Sequence, residues 1–274
     1  MIVTTLVENT SISEEEYSPE HGLSLYIETG NQKLLFDVGA SDLFLQNARK
    51  LGVPVADVGA LVISHGHYDH GGGLGTFLKE NKRAEVFVHP QAFEKHYRLG
   101  ADEELEYIGL AVEDGQDERI TLTSEQHRIN EQAWVFSSVV DREPRLGSNV
   151  ALVMEQDGRI RRDVFAHEQN LVIEENGQVF LFTGCAHNGI ANIIDHFHVL
   201  EGRMPDYVFG GFHLANRGSG PEDLAALDRL GEYLLGTKAR FYTGHCTGPE
   251  PYERLRAIMG DKIGYLATGS IIRV

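Results

Sequence analysis

An α/β layered domain is expected from two features of the chain. Short β-rich apolar runs alternate with amphipathic stretches at helix spacing, and strong two-residue turn signals punctuate them. No short repeat and no Pro/Ser/Gly-rich linker interrupts the 274 residues, so residues 1–274 are read as a single domain, built of two similar halves.

Taken in order, "IVTTLVE" reads as a strand, followed by a polar loop. "GLSLYIET" and "KLLFDVG" form a strand pair around the Gly30-Asn31 turn. "DLFLQNARKLG" places Leu43, Phe44, Asn47 and Leu51 at helix spacing, and Gly52 closes that helix. "ALVIS" is a short, fully apolar strand; a glycine loop, a helix around "LGTFLKEN" and the strand "EVFVH" follow. Residues 100–133 are densely acidic with weak periodicity and are read as part of an insertion or cap within 90–147. Strands resume in "WVFSSVV", "NVALVMEQDGRI", "NLVIEENGQVFLFTG", "PDYVFGG" and "ARFYTGH", with hairpin turns at Asp157-Gly158 and Asn176-Gly177. Helices fit "IANIIDHFHVL" and "PEDLAALDRLGEYLL", the second with Pro221 near its start.

The formal charge of −17 repels phosphate backbones, so nucleic acid is not an expected partner. It leaves room for a small anionic substrate, because a local metal cluster overrides the global field. The N-terminal stretch lacks the basic region and apolar length of a signal peptide, and no segment has the length of a membrane span. Two cysteines, Cys185 and Cys246, argue for a reducing interior, and a cytoplasmic location is expected. The glycine run lacks the lysine and Ser/Thr of a P-loop, and no Gly-x-Ser-x-Gly is present.

Chemistry concentrates in "VISHGHYDHGGGLG", residues 62–75. His65 and His67 lie two apart after an apolar strand, so an extended loop points both the same way. Asp69 and His70 fall where the next helix begins and project toward a neighbouring point. That pattern offers two adjacent metal sites, with Gly71, Gly72 and Gly73 expected to let the backbone turn without crowding the ions.

The motif resembles that of the metallo-β-lactamase superfamily. "EHGLSLYIE", "LLFDVGAS", "SHGHYDHGGGL", "TGCAHNGI", "GGFHL" and "TGHCTG" occur in the order of one branch. That branch holds proteins named dihydropterin-ribofuranosylaminobenzene-phosphate synthases, and many called metal-dependent hydrolases. The resemblance implies a four-layer αββα sandwich with the metal site at one edge. It assigns His65, His67 and His187 to a first ion, and Asp69, His70 and His245 to a second. It also implies Asp37 beneath the site and His213 as a substrate contact. The superfamily's usual bridging aspartate position holds Cys185 here, with His187 two residues on, and His167 is spaced as a third-motif histidine; Cys185 and His167 are alternative ligands. Cys246 is not expected to be one. His89, His196 and His198 are read as structural or exposed, and Glu20, His21 and Ser24 match the branch without an evident role.

The expected function is a hydrolase that uses water acidified toward a pKa of about 7 by one or two divalent ions. Zinc is the first expectation, with manganese or iron as alternatives. Asp69 is the candidate catalytic residue, steering the nucleophile or taking its proton, on a small phosphorylated or ester substrate. The alternatives are a synthase condensing a dihydropterin diphosphate with a ribofuranosylaminobenzene phosphate, and a non-hydrolytic di-metal redox or binding protein.

Overall fold

The structure, a computed structural model, describes residues 1–111, 116–142, 149–215 and 221–274. Three antiparallel strands open it: β1 (Ile2–Val7), β2 (Ser24–Glu28) and β3 (Lys33–Phe36). The chain then crosses through α1 (Leu43–Leu51) to β4 (Ala60–Val62), and through α2 (Tyr68–Gly71) and α3 (Leu74–Glu80) to β5 (Glu85–Val88). Both crossovers give parallel pairs, β3 with β4 and β4 with β5, as expected when a helix links two strands. Gly52 ends α1 in the left-handed conformation, with φ 70°.

The middle of the chain supplies β6 (Lys95–Leu99), β7 (Leu105–Tyr107), β8 (Ile120–Leu122), β9 (Gln126–Arg128), β10 (Ala133–Phe136), β11 (Leu152–Gln156) and β12 (Arg159–Arg162). The remainder is β13 (Asn170–Glu175), β14 (Gln178–Phe182), α4 (Ile190–Glu201), β15 (Tyr207–Phe209), α5 (Pro221–Gly236), β16 (Arg240–Thr243), α6 (Pro249–Met259), β17 (Ile263–Tyr265) and β18 (Ile271–Arg273).

These strands form two seven-stranded sheets, β18-β1-β2-β3-β4-β5-β8 and β17-β16-β15-β14-β13-β10-β9, and a small sheet β12-β11-β6-β7. Strand alternation divides the apolar side chains between layers. Leu34 and Phe36 of β3 pack with Leu171, Phe180 and Phe182 of the other large sheet, whereas Leu35 packs with Phe44 of α1 and Phe77 of α3. On the far side, Leu181 and Val208 pack with Ile193 of α4, Leu230 of α5 and Leu255 of α6. The result is the expected αββα sandwich. Phe36 and Phe182 meet across its centre with ring centroids 6.1 Å apart.

The residues between 90 and 147 do not stand together as one unit. β8 extends the first sheet, β9 and β10 the second, and only β6 and β7 join the small sheet, whose other half is β11 and β12. Residues 112–115 and 143–147 of that range lie outside the described residues. Elements absent from the sequence reading, such as β17, β18 and α6, include strands of three residues, too short to carry a periodicity. No helix among the described residues is long and apolar enough to cross a membrane.

Asn47 sits on the buried face of α1 for a polar reason. Its Nδ2 donates to the carbonyls of Leu6 at 2.8 Å and Ser18 at 2.9 Å, and its Oδ1 accepts the Ser18 N–H at 3.2 Å. It thereby ties the loop after β1 to the helix. Asn47→Ala is expected to lower unfolding free energy by about 2–3 kcal/mol, through buried groups left without partners; urea denaturation checks this, and an unchanged midpoint would refute it.

Candidate metal centre

The motif residues emerge at the same edge of the sandwich, at strand ends or in the short helix that follows one. Asp37 follows β3, His65 and His67 follow β4, Asp69 and His70 lie in α2, Cys185 and His187 follow β14, His213 follows β15 and His245 follows β16. Asp37, Ala186, His213 and His245 all have positive φ (62°, 56°, 49° and 52°), so these turns leave the strands sharply.

The second ring nitrogen of each histidine decides which lone pair it can offer. The Asp37 carboxylate accepts the Ser64 N–H and the Ser64 hydroxyl, each at 2.7 Å, and His70 Nδ1–H at 2.7 Å. Because Ser64 Oγ donates to Asp37, it accepts from His65 Nδ1 at 2.9 Å. Both histidines therefore turn Nε2 toward the site. His245 Nδ1 lies 2.8 Å from Asn9 Oδ1, the oxygen that also accepts the Gly22 N–H at 3.3 Å. His187 Nδ1 lies 3.0 Å from Asn149 Oδ1, while Asn149 Nδ2 donates to the His187 carbonyl at 2.9 Å. His245 and His187 thus also present Nε2, and that of His187 is buried without a partner.

These lone pairs converge. His70 Nε2 is 3.1 Å from His245 Nε2 and 3.1 Å from Cys185 Sγ, and Asp69 Oδ2 is 3.2 Å from His245 Nε2. His65 Nε2 is 3.1 Å from His67 Nδ1. Donors facing donors at such distances repel unless a proton or a cation lies between them, so the set fits a divalent metal. Two groups, His65–Cys185–His187 and His70–Cys185–His245, each have their ligand atoms within 4.8 Å of one another, and the Cys185 sulfur belongs to both.

Electrostatics separate the histidines into two kinds. Burial, reinforced by neighbouring histidines, pushes His65, His67 and His187 well below the usual imidazole range. Burial opposes ionisation of Asp69, but His70, His21 and His245 outweigh it and hold the carboxyl well below its ordinary value. Burial lowers His70, and the Asp37 and Asp69 carboxylates more than reverse this, so an ion entering there competes with a proton. Burial pushes the Cys185 thiol up; a coordinated ion reverses that by deprotonating it.

His167 lies beside this set: with His67, His96 and Asp163 it forms a further group whose ligand atoms lie within 4.8 Å of one another, but both its ring nitrogens have partners. Its Nδ1 accepts the Gly66 N–H at 3.0 Å and its Nε2 lies 3.1 Å from Asp163 Oδ2. The same carboxylate oxygen lies 2.9 Å from His96 Nδ1, so these residues tie the small sheet to the 65–67 loop. The glycine run also has a different purpose from the one expected. Gly72 and Gly73 have ordinary negative φ, and a Cβ on Gly71, Gly72 or Gly73 would run into Leu110, Ala40 or Val38; the run packs α2 and α3 against their neighbours.

Several residues without an evident role acquire one. Glu20 accepts from Ala40 N, Ser41 N and Ser41 Oγ, and Ser24 Oγ donates to the Asp37 carbonyl at 2.9 Å. His21 Nε2 reaches Asp69 Oδ2 at 3.3 Å. His89 accepts the Gln91 N–H, and His196 stacks on Phe136. Sequence reasoning missed Glu8, Asn9, Asn149 and Glu168. Glu8 accepts the His245 N–H, and Glu168 accepts the N–H groups of His187 and Asn188 at 2.6 and 3.0 Å. Only Ser64, beside the motif, carried a positional signal.

A cavity of about 580 Å³ opens over the donors. His213 lines it, its ring centroid 4.2 Å from that of His187 and its Nδ1 without a partner. Tyr68, Ile108 and Leu152 form an apolar wall, and Arg98 of β6 is the cation among the lining residues.

Fold and site together define an αββα protein with candidate ligand groups for divalent metal at one sheet edge. The chain belongs to the Metallo-beta-lactamase superfamily, whose sequence profile matches residues 17–245. An uncharacterized protein of Methanocaldococcus jannaschii is 27% identical over 278 residues, 100% of both chains. A second protein of that organism, named 7,8-dihydropterin-6-methyl-4-(beta-D-ribofuranosyl)-aminobenzene-5'-phosphate synthase, is 27% identical and covers 93% of this chain and 94% of its own. The crystal structure of a metal-dependent hydrolase of the beta-lactamase superfamily is similar throughout, with TM-score 0.83, 26% identity and coverage of 100% and 99%.

Asp37→Asn preserves a side chain that tolerates positive φ but removes the carboxylate that sets two imidazole tautomers. Zinc affinity is expected to fall roughly 10–100-fold with unchanged circular dichroism; calorimetric titration measures it, and wild-type affinity would refute the assignment.

Proposed function

We propose that the protein is a metal-dependent hydrolase acting on a small anionic substrate. The observation that carries the reading is the Cys185 sulfur, shared by two buried histidine groups whose remaining ring nitrogens are already committed. His65, His67 and His187 would hold one ion and Asp69, His70 and His245 a second, with the Cys185 sulfur available to either. Sulfur and nitrogen donors together favour zinc over manganese or iron. Such ions supply an acidified water and positive charge beside the oxygen where negative charge develops.

The chain's own residues do the rest. Asp37 and Ser64 keep His65 and His70 presenting Nε2. Asp69, held ionised in the cavity lining, would orient the attacking water. His213, with an unpartnered nitrogen in the cavity, contacts the substrate. Arg98 receives the substrate's anionic group: its ion pair with Glu106 is 3.6 Å long and half exposed, so little is lost on exchanging it for a phosphate or carboxylate. The cavity volume suits a small molecule rather than a nucleic acid. The two free cysteines suit a reducing compartment, the cytoplasm.

A second reading, a synthase joining a dihydropterin diphosphate to an aminobenzene ribotide, is favoured by the name of the 27% identical relative that spans 93% of this chain. One panel separates the two. Metal-replete protein is analysed for elemental content and assayed on phosphodiesters, phosphomonoesters and lactones, and on the paired pterin and ribotide substrates. Hydrolysis that stops on chelation and returns with zinc is expected. Less than about one ion per chain would overturn both readings, and turnover of the paired substrates alone would select the synthase.

For whichever phosphorylated substrate turns over, Arg98→Ala is expected to raise KM roughly tenfold or more, the loss of a charged hydrogen bond, with a smaller change in kcat. Steady-state kinetics test this; an unchanged KM would remove Arg98 from the substrate site.

A further inference from the structure

The two cysteines of the chain, Cys185 and Cys246, are both free and both line the cavity. Cys185 follows β14 and Cys246 follows β16, and β15 runs between these strands. Two strand spacings, about 9.5 Å, would keep cysteines on the strands themselves from bonding. The loops close that gap above the extension of β15, where the chain runs Gly210-Gly211.

Gly211 donates its N–H to the Gly184 carbonyl at 2.8 Å, beside Cys185. A Cβ on Gly211 would overlap the Cys246 sulfur, and one on Gly210, at φ 132°, would run into the Thr183 backbone. Gly211 leaves room for thiols from either side to meet. Cys246 Sγ lies 3.4 Å from the Cys185 carbonyl oxygen, to which it donates, and accepts the His213 N–H at 3.2 Å. The two sulfurs and a His213 ring nitrogen lie within 4.8 Å of one another.

We propose that Cys185 and Cys246 are a modification site: a hydroperoxide converts them to a reversible disulfide that withdraws the Cys185 sulfur from the metal donors. The inference rests on Cys185 as a donor available to either ion. Cys246, the more exposed thiol, attacks the peroxide ROOH; its sulfur becomes a sulfenic acid and ROH leaves. The Cys185 sulfur then displaces the sulfenic hydroxyl as water, forming the S–S bond. Two thiols and one ROOH give one disulfide, one ROH and one water; the sulfurs are oxidised and the O–O bond is reduced. The Cys185 sulfur cannot be thiolate ligand and disulfide partner together, so a bound ion protects the pair and the disulfide weakens the ion's hold.

The test uses the full chain, reduced and chelator-treated, exposed to hydrogen peroxide with and without zinc. Expected are loss of both thiols, a peptide linking residues 185 and 246 on non-reducing digestion, and zinc affinity reduced roughly tenfold or more, all reversed by dithiothreitol and all slowed by prior zinc. Cys246→Ser is expected to bind zinc and form no cross-link. Oxygen adducts on either sulfur without the linked peptide would overturn the proposal, as would a linked protein that binds zinc like the reduced one. A reduced protein that binds no zinc would instead overturn the metal reading, while the linked peptide still reports on the cysteine pair.

Discussion

Three hydrogen bonds end on the Asp37 carboxylate, from Ser64 N, Ser64 Oγ and His70 Nδ1, and the geometry of the site depends on them. They make Ser64 Oγ an acceptor toward His65, so one buried anion decides the tautomer of one histidine in each donor group. Glu8 and Glu168 repeat the device at the far loops, each gripping backbone N–H groups at His245 and His187. Loops that leave strands with positive φ would otherwise sample many positions. Buried carboxylates convert them into fixed ligand arms, because an unpaired buried charge is far costlier than the conformational freedom it removes.

The small sheet is held by the same logic. Asp163 gathers His96 from β6 and His167, and His167 in turn accepts the Gly66 N–H between the first two motif histidines. On the other side, Tyr68 N–H bonds the Ile108 carbonyl at 2.8 Å, and Leu110 fills the space left by Gly71. The wall bearing Arg98, Ile108 and Leu152 is therefore anchored to the ligand loop itself. A change in the strands that shape the cavity would be felt at the donors.

How much of this was legible in the sequence follows from what each feature needs. The hairpins at Gly30-Asn31, Asp157-Gly158 and Asn176-Gly177, the α1 stop at Gly52 and the strand before His65 are local signals, and all stand in the structure. The histidine pattern was readable because spacing along one loop fixes which side chains share a point. Glu8, Asn9 and Asn149 were not, since they reach the site from residues more than 35 positions away from their partners and have no motif of their own. The glycine run was seen but misread: a sequence reports that side chains are absent, not which neighbour fills the space. The described strands of the 90–147 range are divided among three sheets, which acidic composition does not reveal because it marks exposure and not membership of a sheet.

Cys185 stands where the sequence resemblance implies an aspartate, and a thiol there changes what an ion would meet. A carboxylate is a hard donor, ionised without help and inert to oxidants. A buried thiol is protonated until an ion displaces the proton, so occupancy and ionisation rise together and metal affinity gains a pH dependence. Sulfur also shifts preference toward softer ions. The same atom sits within reach of the second cysteine where Gly211, beyond the end of β15, leaves room for the Cys246 sulfur. A larger residue at position 211 would push Cys246 away from Cys185. Gly211 between the strands thus bears on the candidate metal centre through what the Cys185 sulfur can reach.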